Sequence, residues 1–123
     1  MRALIVDDSR TMRAIISKLV KELGFDVAEA GNGGQALSQL KSSGAVDLTL
    51  VDWNMPEMNG LEFVRAVRAD PAFDTMKVMM VTSQTEVEQM IRALQAGVDE
   101  YLMKPFTRDA MVEKLRLLGI ANI

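Results

Sequence analysis

Four separate stretches of this 123-residue chain carry residues able to do ionic chemistry, and each closes or follows a short apolar run. Asp7-Asp8 follow "ALIV", Asp52 follows "LTLV", Thr82 ends "KVMMVT" with Ser83 next, and Lys104-Pro105 follow "EYLM". Carboxylates brought together without a counterion repel, and at least one then takes up a proton. A divalent cation with Lys104 reverses this, because three negative charges then meet three positive ones. Mg²⁺ accepts few carboxylates, several waters and a phosphate oxygen in octahedral geometry, so such a cluster suits a metal plus a phosphoryl group. The central carboxylate, Asp52, could attack phosphorus and form an aspartyl phosphate. Lys104 and the Thr82 hydroxyl would hold the transferring oxygens. Each piece alone has an ordinary explanation: a helix cap for Asp7-Asp8, a strand end for Thr82, a solvated side chain for Lys104, an Asx turn for Asp52. Their coincidence at four strand ends carries the reading.

That coincidence requires the four ends to share one edge, and the patterning predicts that they do. Strand and helix signals alternate five times. Strands are expected at 3–6, 25–30, 47–52, 77–82 and 100–103. Helices are expected at 10–23, 34–42, from Gly60 to Asp70-Pro71, 85–96 and 108–118. Ser9 can cap the first helix. Met12, Ile15, Ile16, Leu19, Val20 and Leu23 recur at the helical period within it, and Gly24 stops it. Val87, Met90, Ile91 and Leu94 align in the same way along 85–96. Asp70 precedes Pro71 and so resists helical geometry. Five such units in one domain over 1–123 call for an α/β flavodoxin-like fold, a doubly wound parallel sheet. In that fold ligands bind at the carboxyl edge where strand order reverses. With the order 2-1-3-4-5, Asp52 lies between the acid pair and Thr82, and Lys104 lies one strand further. Ten Met residues are expected mainly as adaptable core filler.

Composition narrows the chemistry. There is no His and no Cys, which excludes Ser–His and Cys–His catalysis, imidazole or thiolate metal sites, and disulfides. Any ion must be held by oxygen, which suits hard cations. The net charge is −3, with Lys and Arg scattered, so nucleic acid is not an expected partner. No run approaches the ~18 apolar residues of a membrane span, and the apolar stretch at the start is shorter than a signal-peptide core. A cytoplasmic protein with no membrane partner is the expectation.

The set "VDDS" (6–9), "DWNMPEMNG" (52–60), "MVTS" (80–83) and "AGVDEYLMKPF" (96–106) resembles the response-regulator receiver family over the whole chain, and within it the chemotaxis type. The resemblance implies a signalling protein rather than a turnover enzyme, one with its own phosphotransfer and autodephosphorylation chemistry. It implies Asp52 as phosphoacceptor, Mg²⁺ held by Asp7, Asp8, Asp52 and the backbone carbonyl of Asn54, and Thr82 and Lys104 against the phosphoryl group. A cis Lys104–Pro105 bond is implied as well. Thr82 and Tyr101 would be the switch; Tyr101 read without the resemblance is a strand residue with a wet hydroxyl. Asn54 and Gln84 would border the phosphoryl group and tune its lifetime, neither being an acid able to act as general base. The donor would be a phosphohistidine on a histidine kinase; because this chain has no His, the donor must in any case be another molecule, a protein or a small phosphodonor. The face formed by helix 85–96, the strand with Tyr101 and helix 108–118 would bind an effector such as a flagellar motor switch protein, with Met90 and Tyr101 as contacts. A phosphatase is a further implied partner, and a monomer without an output domain is expected.

Other readings are a phosphorelay intermediate or kinase regulator unconnected with motility, and, more remotely, an aspartate-nucleophile phosphatase. The phosphatase usually wants a second acid two residues after the nucleophile, where Asn54 stands. A flavodoxin-like cofactor binder is disfavoured because "DDSRTM" is acidic and lacks Gly. A purely structural module would leave three converging acids unexplained.

Overall fold

In the computed structural model, which describes residues 1–120, the apolar runs form a five-stranded parallel sheet in the order β2-β1-β3-β4-β5. The strands are β1 (Arg2–Val6), β2 (Asp26–Ala30), β3 (Leu48–Val51), β4 (Lys77–Thr82) and β5 (Glu100–Met103). Helices α1 (Arg10–Glu22), α2 (Gly33–Ser43), α3 (Gly60–Arg68), α4 (Val87–Ala96) and α5 (Arg108–Leu117) alternate with them. The flavodoxin-like architecture and strand order expected from the sequence are therefore observed.

Period-two alternation sorts the strand residues between two cores. Leu4, Val6, Val51, Val78 and Met80 pack with α2, α3 and α4 residues such as Leu40, Val64 and Ala93. Ala3, Ile5, Leu50, Met79 and Val81 pack with Ile16 and Val20 of α1 and Met111 and Leu115 of α5. Strands covered on both faces must be apolar throughout, and residues 48–51 are all buried. Met76, Met79, Met80 and Met111 fill this interior, as expected of core Met.

Side-chain caps start most helices. Ser9, Asn32 and Thr107 accept from backbone N–H groups in the first turns of α1, α2 and α5. Gly24 and Gly97, beyond α1 and α4, have φ of +99° and +111°, a region where a β-carbon is strained.

Local details differ from the expectation at the end of α3 and the start of α4. α3 ends at Arg68, before Asp70-Pro71. The Asp70 carboxylate instead accepts from Ala72 N–H and caps a short 3₁₀ helix, Pro71–Phe73. α4 begins at Val87 rather than 85, because Glu86 at its N-cap makes no side-chain cap. Of its aligned apolar residues, Val87, Ile91 and Leu94 are exposed and Met90 is partly buried against the core, while Ala93 is fully buried. Ile15 of α1 is likewise exposed.

Candidate functional site

The sheet ladder continues one residue past its strands and delivers the chemistry to one edge. Val6 and Val51 are register partners, and Asp52 N–H donates to the Val6 carbonyl at 2.9 Å. Asp7 N–H donates to Ala30 O at 3.2 Å, and Lys104 N–H to Thr82 O at 2.9 Å. Backbone pairing alone therefore fixes where Asp7, Asp52 and Lys104 leave the sheet.

Asp7 is 1% exposed, and both carboxylate oxygens are bonded. Oδ1 accepts from Ser9 N–H at 2.9 Å and Oδ2 from Lys104 Nζ at 2.8 Å. The same ammonium lies 3.6 Å from Asp52 Oδ2, while Asp52 Oδ1 accepts from Trp53 N–H at 2.8 Å. Asp8 is exposed at the mouth of the cluster. One carboxylate oxygen from each of Asp7, Asp8 and Asp52 lies within 4.8 Å of the others.

Burial pushes the Asp52 carboxyl above its usual range, and the Asp7 charge adds to the rise. Lys104, the Thr82 hydroxyl and Trp53 N–H act against it. Three carboxylates against one ammonium leave an excess negative charge that a divalent cation would offset. The donors are all oxygen, so the residues fit Mg²⁺. Asp7, Asp8 and Asp52 would hold it.

Loop 52–60 holds Asp52 from the other side. Trp53 and Met55 are buried in the core, which accounts for the Trp next to the acid. Met58 N–H donates to Pro56 O at 2.7 Å, and Glu57 takes a φ of +66°. Gly60 N–H then donates to Trp53 O at 2.8 Å. A β-carbon at Gly60 would run into the Asp52 carbonyl oxygen and the Trp53 Cα. Gly60 thus sets the position of the Asp52 backbone. Sequence pattern marks it only as the start of a helix. Its signal was a Gly directly after the capping Asn59, where most residues would serve.

Thr82 is fully buried, and its hydroxyl accepts from Gln84 N–H at 3.3 Å. The Tyr101 hydroxyl donates to Gln84 O at 2.8 Å, so this hydroxyl is bonded inward rather than wet. Tyr101 is 6% exposed, and burial together with the Asp52 charge raises its pKa above 10.0. Asn54 is exposed and Gln84 half-buried on the loops flanking Asp52 and Thr82. The Lys104–Pro105 peptide bond is cis. Beside Tyr101, a groove of about 460 Å³ is lined by Met90, Met103, Phe106, Ala110 and Lys114. No helix among the described residues is long and apolar enough to cross a membrane.

A family model described as "Response regulator receiver domain" matches residues 3–116. The chain is 48% identical over 116 residues to the chemotaxis protein CheY of Pseudomonas aeruginosa, covering 94% of this chain and 93% of that protein. It is 47% identical over 124 residues to a CheY homolog of Campylobacter jejuni, covering 99% and 95%. Among solved structures, the chemotaxis protein CheY4 of Vibrio cholerae superposes with a TM-score of 0.88 at 31% identity, covering 95% and 97%.

Proposed function

This chain belongs to the response regulator receiver domain family, and on that footing we propose that it carries a phosphoryl group on Asp52 and signals by it in chemotaxis. The observation that carries the reading is the meeting of Asp7, Asp8 and Asp52 oxygens within 4.8 Å, with Lys104 Nζ at 2.8 Å from Asp7 and 3.6 Å from Asp52. An Asp52 carboxylate oxygen attacks the phosphorus of a phosphohistidine on a histidine kinase. The new O–P bond forms as the P–N bond breaks, and the electron pair leaves with the imidazole nitrogen, which takes up a proton. Asp7 and Asp8, with the Asn54 carbonyl, would complete the Mg²⁺ site; the bound ion would neutralise charge on the transferring oxygens. Lys104 Nζ exchanges part of its ion pairing with Asp7 for a phosphoryl oxygen. The Thr82 hydroxyl gives up Gln84 N–H and donates to another.

The phosphoryl group adds about −1.5 to −2 charge at the end of β3. That matters elsewhere only if an element has two arrangements. Thr82 and Tyr101 both grip Gln84, so withdrawing the Thr82 hydroxyl frees the loop before α4 and loosens the hold on Tyr101. The groove between α4, β5 and α5 is then remodelled for an effector, in the chemotaxis reading a flagellar motor switch protein. Asn54 and Gln84 flank the path of an attacking water and tune the lifetime.

Incubation with acetyl phosphate and Mg²⁺, followed by intact mass measurement, should show a single phosphoryl adduct that Asp52→Asn abolishes. No adduct on the unsubstituted protein, or one surviving the substitution, would sink the assignment. Capture of a histidine phosphotransfer protein that takes the phosphate back would favour a relay over motor control.

A further inference from the structure

Asp7 is held on both carboxylate oxygens and through its N–H, and its main-chain carbonyl is held too. The holder is Arg13, one turn into α1, whose Nη1 donates to Asp7 O at 2.7 Å. The same guanidinium donates through Nε to Glu29 Oε1 at 3.3 Å. Glu29 belongs to β2, and its own carbonyl accepts from Gln39 Nε2 of α2 at 2.8 Å. A chain of contacts therefore runs from α2 through β2 and α1 to the acid turn, and its last link is a charge-assisted bond to the residue that precedes Asp8.

We propose that Arg13 is a positioning residue for the cation site, holding the Asp7-Asp8 turn through the Asp7 carbonyl with its own charge offset by Glu29. This rests on the reading of Asp7, Asp8 and Asp52 as the Mg²⁺ ligands. A turn of two adjacent acids is pushed open by its own repulsion, and both carboxylates must still point into one octahedron. A planar guanidinium is suited to the task because it can bond a carbonyl and a carboxylate at once in a fixed fork, whereas a Lys ammonium cannot reproduce that geometry. A bare cation behind the site would repel Mg²⁺. Paired with Glu29, Arg13 keeps its hydrogen bond while part of its field is offset.

Electrostatics and geometry therefore predict opposite signs. Arg13→Gln leaves Glu29 as an uncompensated anion, which by charge alone should tighten Mg²⁺ binding. If the carbonyl bond governs, binding weakens instead, by roughly ten-fold as for other residues that orient metal ligands. The measurement is Mg²⁺ titration of Trp53 fluorescence on Arg13→Gln, Arg13→Lys and the charge-balanced pair Arg13→Gln with Glu29→Gln, each checked by thermal melting. The expected order is unsubstituted protein tightest, Arg13→Lys intermediate, and both Gln-containing proteins weakest and alike. Unchanged or tighter binding by Arg13→Gln, with only its melting temperature lowered, would show a merely structural residue. Should Arg13→Gln fail to fold, Arg13→Lys binding as tightly as the unsubstituted protein overturns the proposal. If the unsubstituted protein shows no Mg²⁺ response, the metal-site reading itself fails, and that outcome is visible before any variant is compared.

Discussion

Helices α3 and α4 are packed against each other on the same face of the sheet, yet they are held in contrasting ways. α3 opens with a capping box in which Asn59 and Glu62 satisfy each other's backbone N–H groups, and it buries Leu61, Phe63, Val64 and Val67. α4 has no side-chain cap, buries Ala93, and turns Val87, Ile91 and Leu94 to solvent. The far end of α4 is secured by an arginine clamp. There Arg68 of α3 donates to Gly97 O, Phe73 O and Asp99 Oδ2, and Asp99 also accepts from Val78 N–H. Among the described residues, the end nearest Thr82 is held through Gln84 by the Thr82 and Tyr101 hydroxyls and by no ion pair. A helix tied at one terminus and lightly packed along its length opens at low cost, whereas α3 should move only with global unfolding. The contrast puts mobility where the proposed phosphoryl signal would arrive and rigidity where loop 52–60 holds Asp52.

Truncating one apolar side chain in each helix should break the symmetry most clearly. Phe63→Ala should cost about 3–5 kcal/mol in urea denaturation, and Ile91→Ala about 0.5 kcal/mol or less. Similar losses would erase the distinction. Tyr101→Phe comes next: losing its bond to Gln84 O should cost about 1 kcal/mol and speed amide exchange at residues 83–90 without changing it in α3. The hydroxyl also titrates. Its folded pKa lies above the unfolded value near 10.0, so the folded state holds the proton more tightly. The stability this contributes is complete below that value and is lost as pH rises through the folded pKa. Tyr101 is the chain's one Tyr, so phenolate absorbance follows it directly, and Asp52→Asn should move the midpoint down by removing a nearby negative charge. Last comes Glu86→Ser, which supplies the missing cap. It should add about 0.5–1 kcal/mol to α4 and slow amide exchange in its first turn alone.

Much of this was legible beforehand for a simple reason. A strand buried on both faces admits almost nothing but apolar residues, so its ends show as abrupt changes of residue type, and β4 and β5 matched their expected limits. The acids at those ends conflict with local propensity, which is why Asp52 and Asp7-Asp8 stand out. The outward stripe of α4 was not legible. Periodicity tells which residues share a face, but whether anything covers that face depends on how far the sheet extends, and β5 is its edge strand. Gly60 and Arg13 escaped for a related reason: one acts by lacking a β-carbon against Asp52 and the other by reaching a carbonyl six residues back.

The amino-acid sequence by itself determined the five alternating units, the all-oxygen chemistry of the site and the identity of the residues at each strand end, because these follow from side-chain type and period. Only the tertiary structure decided which acid of the pair is buried and bonded on both carboxylate oxygens and which stands at the mouth. It also decided that Lys104 spans Asp7 and Asp52, and that α4 is fastened at one end. Those outcomes depend on distances between residues as far apart as 7 and 104, which strand pairing sets and no local preference encodes.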